Sequence, residues 1–155
     1  MMNSDTRLAA FRVERRSITV AVFDRDHLDY SQTRQLSSRL DKAEDAAVGF
    51  AAWITDAFDI GRAALERIVS SEARRRIELS AAITTLLRQR GIPIWEVSKR
   101  DLLESYSIPP PRTRTELRQI IASLWPILSE DRAKAAAVMD AAALGLYVEF
   151  ERILH

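Results

Sequence analysis

The sequence has no cysteine, only two histidines (His27 and His155) and only four glycines. Without thiols there can be no disulfides and no thiolate metal ligands, and two imidazoles leave little for a zinc site. With so few histidines, neither a Ser-His-Asp nor a Cys-His catalytic set is credible. No stretch matches GxxxxGK[ST] or GxGxxG, so we expect no nucleotide cofactor bound through those loops.

Long apolar runs are also missing. None approaches the ~20 residues that a membrane helix requires, so we expect no membrane association. The first residues, MMNSDTRLAAF, contain no apolar core of signal-peptide length, and a cytoplasmic location is therefore expected. At 155 residues, with 47% hydrophobic and 29% charged residues, the chain is most simply one domain covering residues 1–155.

Positive charge is unevenly distributed, although the net charge is only +1. One band of basic residues comprises Arg74, Arg75, Arg76, Arg88, Arg90, Lys99, Arg100, Arg112, Arg114 and Arg118. Such a band could contact nucleic-acid phosphates. The alternative is that these residues are solvated helix ends and loops, and clustering on one face would decide between the two.

The first part of the chain is predicted to be an antiparallel meander of three strands. Residues 17–23, SITVAVF, are β-branched and apolar on both faces, as in a central strand. Residues 8–14 form the strand before it, and residues 28–38 the strand after it. The connections are short enough for hairpins.

Helices then alternate with single strands. Asp41 followed by Glu44 predicts a capping box, and apolar residues at helical spacing continue to about Phe58. A short apolar run at 67–71 predicts the fourth strand, with Glu72 at its end. An amphipathic helix ending at Gly91 follows, and then a fifth strand at 92–98.

The last part of the chain is predicted to be helical. A short helical turn and a proline-rich connector precede a second capping box, Thr113 with Glu116. The final helix begins near 129–131, carries Asp140 and runs to the C-terminus. The order β-β-β-α-β-α-β-α-α predicts an α/β fold: a mixed five-stranded sheet, made of the meander and β-α-β crossovers, with helices on both faces.

Three motifs accompany this order of elements. They are LAAFRVERRSITVAVF at 8–23, IVSSE ending at Glu72, and AVMDAAAL around Asp140. With them the chain resembles the RNase H-like superfamily, and within it the RuvC-type Holliday junction resolvases. The resemblance implies carboxylates on the first strand, at the end of the fourth, and as a pair three residues apart on the last helix. Here Arg12 takes the first-strand position and Ala137 the first position of the pair, while Glu72 and Asp140 keep theirs.

Arg12 and Ala137 would remove two of the four ligands that the resemblance implies. Two-metal phosphodiester hydrolysis requires carboxylates around divalent ions some ~3.5–4 Å apart, and Mg²⁺ prefers oxygen ligands. We therefore expect a catalytically degenerate protein, without family-type hydrolysis or a metal cofactor, that retains a nucleic-acid-associated or scaffolding role.

Asp140 stands alone in an apolar helical run, and this raises the question of its partner. Its neighbours three and four positions away are Ala136, Ala137, Ala143 and Leu144. A buried carboxylate without a partner is destabilising by several kcal/mol. In a RuvC-type layout Asp140 would face the sheet near Glu72 and Arg12, and the Arg12 guanidinium would take the place of the metal. The alternative is a hydrated Asp140 at the edge of the helix.

Two other functions remain open. Glu14 lies on the same strand face as Arg12 and could supply the missing ligand, which would give an active Mg²⁺- or Mn²⁺-dependent endonuclease acting on branched DNA. The other alternative is a protein-interaction subunit with no nucleic-acid role. If branched or double-stranded DNA is bound, the candidate phosphate contacts are Arg74, Arg75, Arg76, Arg112 and Arg114. The resemblance also implies a homodimer.

Overall fold

The structure, a computed structural model, describes residues 7–25, 27–68, 73–106, 111–124 and 132–154. The strands in these ranges are β1 (Arg7–Val13), β2 (Ser17–Asp24), β3 (His27–Gln35), β4 (Arg62–Glu66) and β5 (Ile94–Val97). The helices are α1 (Leu40–Ala57), α2 (Arg74–Gln89), α3 (Lys99–Glu104), α4 (Arg114–Leu124) and α5 (Arg132–Leu154). No helix among the described residues is both long and apolar enough to cross a bilayer.

The strands form one mixed sheet in the order β3-β2-β1-β4-β5. β2 pairs antiparallel with β1 and with β3, as the short hairpin connections predict. β4 pairs parallel with β1 and with β5, because helical crossovers precede and follow it. The predicted five-stranded mixed sheet is confirmed.

The predicted position of the fourth strand is wrong. β4 is RAALE at Arg62–Glu66, whereas Arg67 and Ile68 lie beyond its end and the remainder of the predicted strand lies outside the described residues. Alanine has a low intrinsic preference for strands, which obscured this segment in the sequence. Burial between β1 and β5 overrides that preference, since all but the last residue of β4 are buried.

The two predicted capping boxes have different outcomes. α1 begins at Leu40 with Arg39 as its N-cap, and no side chain caps it, so the box predicted at Asp41 is wrong. Before α4, the backbone N–H of Glu116 donates to Oγ1 of Thr113 at 3.2 Å, as the second box predicts. The Glu116 carboxylate accepts from the backbone N–H of Arg112 at 2.7 Å, which fixes the start of α4.

Each face of the sheet is covered by helices. Successive strand residues point to opposite faces, so Phe11 and Val20 pack on the side of α1 and α2, while Ala10 and Phe23 pack on the side of α5. Small residues let α5 lie close to the sheet. A Cβ added at Gly145 would be 2.6 Å from Cδ2 of Phe23. The alanine-rich run around Asp140 therefore brings that carboxylate against the strands.

Candidate functional site

Three charged side chains meet where β1 and β4 end beneath α5. Arg12 on β1 and Glu66 on β4 extend toward α5, because Phe11 pairs with Leu65 in the parallel register and the next residue of each strand points to the other face. Asp140 reaches them from α5. The side chains of Arg12, Glu66 and Asp140 are 7%, 9% and 0% exposed, so the charges are withdrawn from water.

Asp140 is paired with arginine rather than hydrated. Arg118 of α4 donates to both carboxylate oxygens, from Nε at 2.9 Å and from Nη2 at 2.7 Å. Nε of Arg12 lies 3.7 Å from Oδ2 of Asp140, and Nη1 of Arg114 lies 3.9 Å from Oδ1. The hydrogen bonds to Asp140 raise the pKa of Arg118. The predicted contact between Arg12 and Asp140 is present, and a hydrated Asp140 at the helix edge is ruled out.

Glu66 is held in the same way. Nη1 of Arg12 donates to Oε2 of Glu66 at 3.1 Å, and Nη2 of Arg114 donates to both carboxylate oxygens. Nε of Arg12 also donates to Oε1 of Glu14 at 2.9 Å, so Arg12 contacts three carboxylates. Guanidinium groups from β1 and α4 thus bridge Glu14, which directly follows β1, and the acids of β4 and α5. We call Arg12, Glu14, Glu66, Arg114, Arg118 and Asp140 the arginine–carboxylate cluster.

This arrangement does not fit a divalent metal centre. The cluster has three guanidinium groups for three carboxylates, so its formal charge is zero without any ion. Hydrogen bonds from arginine already engage Asp140 and Glu66, and Ala137 supplies no ligand. Among the described residues, no three Asp, Glu or His side chains are grouped so that they could hold a metal ion.

The carboxylate at the end of the fourth strand in the structure is not the one predicted from the sequence. Glu72 lies outside the described residues, and the end of β4 is occupied by Glu66. The sequence did contain a signal, because AALE is an apolar run that leads directly into a glutamate, whereas serines interrupt IVSSE. Arg118 was also missed as the partner of Asp140. Its spacing of four residues from Arg114 places both arginines on one face of α4, but it does not show which element that face contacts.

The residues predicted to contact phosphate have different environments. Arg75 donates to the backbone carbonyls of Arg15, Ser37 and Ser38, and Arg114 is engaged with Glu66.

Arg76 donates from Nε to the carbonyl of Val13 at 2.9 Å, and burial together with the nearby charge of Arg12 lowers its pKa. Arg74 is exposed and pairs with Glu78 at 3.1 Å, while Arg112 is exposed at the start of α4. Arg90 lies apart from this group, where it pairs with Asp56. The basic band is therefore only partly gathered near the cluster.

The comparisons with known proteins point to one fold. No protein-family model matches the chain, and no curated protein matches it in sequence. The structure of T. thermophilus RuvC in complex with Holliday junction substrate matches with a TM-score of 0.77 and 11% identity, and 96% of each chain is covered.

Two further structures resemble the chain. A yeast mitochondrial Holliday junction resolvase has a TM-score of 0.69 and 11% identity, with 97% of this chain and 81% of that chain covered. The resolvase of fowlpox virus, in complex with Holliday junction DNA, has a TM-score of 0.61 and 12% identity, with 96% and 99% covered. At such identities the likeness establishes the fold, and the chain has the RNase H-like fold of the RuvC type.

Proposed function

We propose that this protein is a catalytically degenerate RuvC-type domain that binds nucleic acid without hydrolysing it. One observation carries the proposal: the guanidinium groups of Arg12, Arg114 and Arg118 engage the two buried carboxylates, Glu66 and Asp140. Those carboxylates occupy the positions that the resemblance gives to metal ligands at the end of the fourth strand and on the last helix.

The charge of the cluster explains why hydrolysis is not expected. Two-metal hydrolysis needs several carboxylates whose negative charge is compensated by divalent ions. Here arginine supplies that compensation, and an entering ion would meet three positive groups within a largely buried site. Glu14, the ligand that an active nuclease would require, also accepts a hydrogen bond from Arg12.

The nucleic-acid role is supported by the neighbours and by the surface beside the cluster. Two of the similar structures are complexes with Holliday junction DNA. In this chain Arg15 and Arg16, in the turn after β1, and Arg74, at the start of α2, are exposed near the same end of the sheet. Exposed arginine contributes to affinity through phosphate neutralisation, which makes binding depend on salt. A protein-interaction subunit with no nucleic-acid role would not bind DNA in this salt-dependent way.

The test combines binding and cleavage of a synthetic four-way DNA junction with Mg²⁺ or Mn²⁺ present. We expect binding that weakens steeply with salt, and no cleavage above the background without protein. Cleavage that disappears in Glu66→Gln and persists in the control Glu78→Gln would overturn the degenerate assignment. A wild-type protein that does not bind the junction would instead overturn the nucleic-acid role and favour a protein partner.

A further inference from the structure

The arginine–carboxylate cluster opens to solvent on the side of Arg118 and Glu14. Their side chains are 31% and 35% exposed, whereas those of Arg12 and Asp140 are almost fully buried. Arg76, at the start of α2, is half-buried and donates from Nε to the carbonyl of Val13, the residue between Arg12 and Glu14, which places it beside the same opening. The opening is therefore bordered by two arginines and one glutamate.

Both arginines retain donors that the protein does not use. Arg118 binds Asp140 through Nε and Nη2, which leaves Nη1 without a hydrogen bond among the described residues. Arg76 donates from Nε to the carbonyl of Val13, and neither of its Nη groups has a hydrogen bond within the described part of the chain. Guanidinium edges of this kind match the oxygens of a phosphate group in pairs.

The local charge also favours an anion at this opening. The cluster alone is neutral, with three guanidinium groups and three carboxylates, and Arg76 adds one positive charge beside it. Arg76 is half-buried and forms no ion pair among the described residues, where Glu14 and Glu66 pair with Arg12. An incoming anion would therefore compensate a charge that the fold leaves unpaired.

The backbone around the opening is held in place. Arg75 donates to the carbonyl of Arg15 in the turn after β1 and to those of Ser37 and Ser38 before α1. Its neighbour Arg76 is bonded to the last residue of β1. These bonds connect the start of α2 to the strand that carries Arg12, so the donors of Arg76 and Arg118 are oriented before any ligand arrives.

We propose that Arg76 and Arg118 bind one phosphodiester group of a nucleic-acid backbone at this opening, directly and without a metal ion. The inference rests on the proposed function and names the place where the backbone is held. Arg12 and Arg114 act as positioning residues, because they hold Glu66 and Asp140 in place. Asp140 in turn binds Nε and Nη2 of Arg118, so that Nη1 of Arg118 points away from Asp140. A diester oxygen would accept from Nη1 of Arg118 and from the Nη groups of Arg76.

The test measures affinity for a labelled four-way junction in EDTA at several salt concentrations. Arg76→Gln is compared with Arg90→Gln, which removes the same charge just after α2, where Arg90 pairs with Asp56 away from the cluster. We expect Arg76→Gln to reduce the slope of log affinity against log salt by about 0.9, which corresponds to one phosphate contact on duplex arms. Arg90→Gln should leave the slope almost unchanged.

A second variant tests the other arginine without removing its charge. Arg118→Lys keeps a cation near Asp140 but loses the second guanidinium edge. We expect weaker binding than wild type with little change in the salt slope. Circular dichroism and thermal unfolding would show whether each variant is folded. If Arg118→Lys does not fold, the salt slope of Arg76→Gln decides whether the phosphodiester site exists.

The outcomes separate this inference from the proposed function. Equal effects at Arg90 and Arg76, or none at either, would overturn the phosphodiester site while leaving DNA binding in place. Failure of the wild type to bind the junction would overturn both. Cleavage of the junction would overturn only the degenerate assignment. If inorganic phosphate binds the wild type and not Arg76→Gln, but DNA does not bind, the opening holds a free oxyanion and the nucleic-acid assignment is wrong.

Discussion

The two faces of the sheet are built from different kinds of residues. The face covered by α1 and α2 has a continuous apolar core in which Phe11, Val20 and Ile54 are buried. The face covered by α5 is apolar along much of its length, but it also holds all the buried charged side chains of the described residues. These are Arg12, Arg62, Asp140 and Glu149, together with Glu66, whose side chain is 9% exposed. One face therefore serves mainly as core, while the other combines core with ionic groups.

The difference is informative because buried charge is a poor source of stability. Removing two ions from water carries a penalty that their attraction only partly offsets, and apolar replacements are often as stable. Departures from simple core packing are expected at functional sites. We therefore attribute the stability of the fold chiefly to the α1/α2 face and the functional role to the α5 face.

The α5 face itself has two charged regions. Arg62 and Glu149 form an ion pair whose side chains are 4% and 2% exposed, at the beginning of β4. The arginine–carboxylate cluster lies at the other end of β4 and reaches solvent through Arg118. A ligand cannot reach the buried pair of Arg62 and Glu149, whereas it can reach the cluster through Arg118. We therefore assign the candidate functional site to the cluster.

The largest effect should come from the apolar face. Phe11→Ala removes a fully buried ring and should lower the free energy of unfolding by about 3–5 kcal/mol. Urea denaturation measures the loss, and junction affinity below the transition should match wild type. A folded Phe11→Ala protein with strongly reduced affinity would contradict the separation of the two faces.

On the charged face, Asp140→Asn should cost about 3 kcal/mol of unfolding free energy. The substitution leaves Arg12, Arg114 and Arg118 with one buried carboxylate fewer, and an uncompensated buried charge is strongly destabilising. Asp45→Asn is the matched control, because Asp45 is exposed and should change stability by less than about 0.5 kcal/mol. Equal stability of the two variants would show that Asp140 is not buried among arginines.

The sequence predicted the architecture better than the site. Periodicity identified the strands of the meander and the main helices, since each has a clear alternating or helical apolar pattern. It missed β4 because RAALE has weak strand character and is defined by its pairing with β1 and β5. Because the strand was placed too late in the chain, the prediction named Glu72, which lies outside the described residues, and did not name Glu66.

The pairing of Asp140 could be predicted only in part. The absence of a cation nearby on its own helix required a partner from another element, and Arg12 followed from the family layout. Arg118 did not, because its approach depends on how α4 packs against α5 through Leu117 and Ile121. Such packing of elements distant in sequence is not encoded in local spacing.

Restoring carboxylates should restore metal binding. In Arg12→Asp/Ala137→Asp, two acids replace a guanidinium and a methyl group, which gives the cluster excess negative charge. Mn²⁺ at 100 times its Kd should then stabilise the variant by about 2.7 kcal/mol, measured as a shift in thermal unfolding. Wild type and the neutral control Arg12→Asn/Ala137→Asn should show no Mn²⁺-dependent shift. If wild type shifts as much as the acidic variant, arginine does not exclude metal from the site.

The smallest expected effect concerns an uncharged polar group on the α5 face. The Tyr106 hydroxyl donates to the carbonyl of Ala143, and burial raises the pKa of Tyr106. Since the unfolded tyrosine loses its proton near pH 10 while the folded one keeps it, stability should fall as the pH rises above that value. Between pH 10 and 11 wild type should lose roughly 1 kcal/mol more than Tyr106→Phe in urea denaturation. If the unfolding free energies of wild type and Tyr106→Phe change with pH in parallel, the Tyr106 hydroxyl is hydrated in the folded protein.

The central claim is that arginine has taken the place of metal around Glu66 and Asp140. Isothermal titration of Mn²⁺ into wild type and Asp140→Asn tests it most directly, because Mn²⁺ binds carboxylate sites without requiring a substrate. We expect no saturable heat of binding in either protein. Saturable binding to wild type that is lost in Asp140→Asn would identify a working metal site and show that arginine has not replaced the metal.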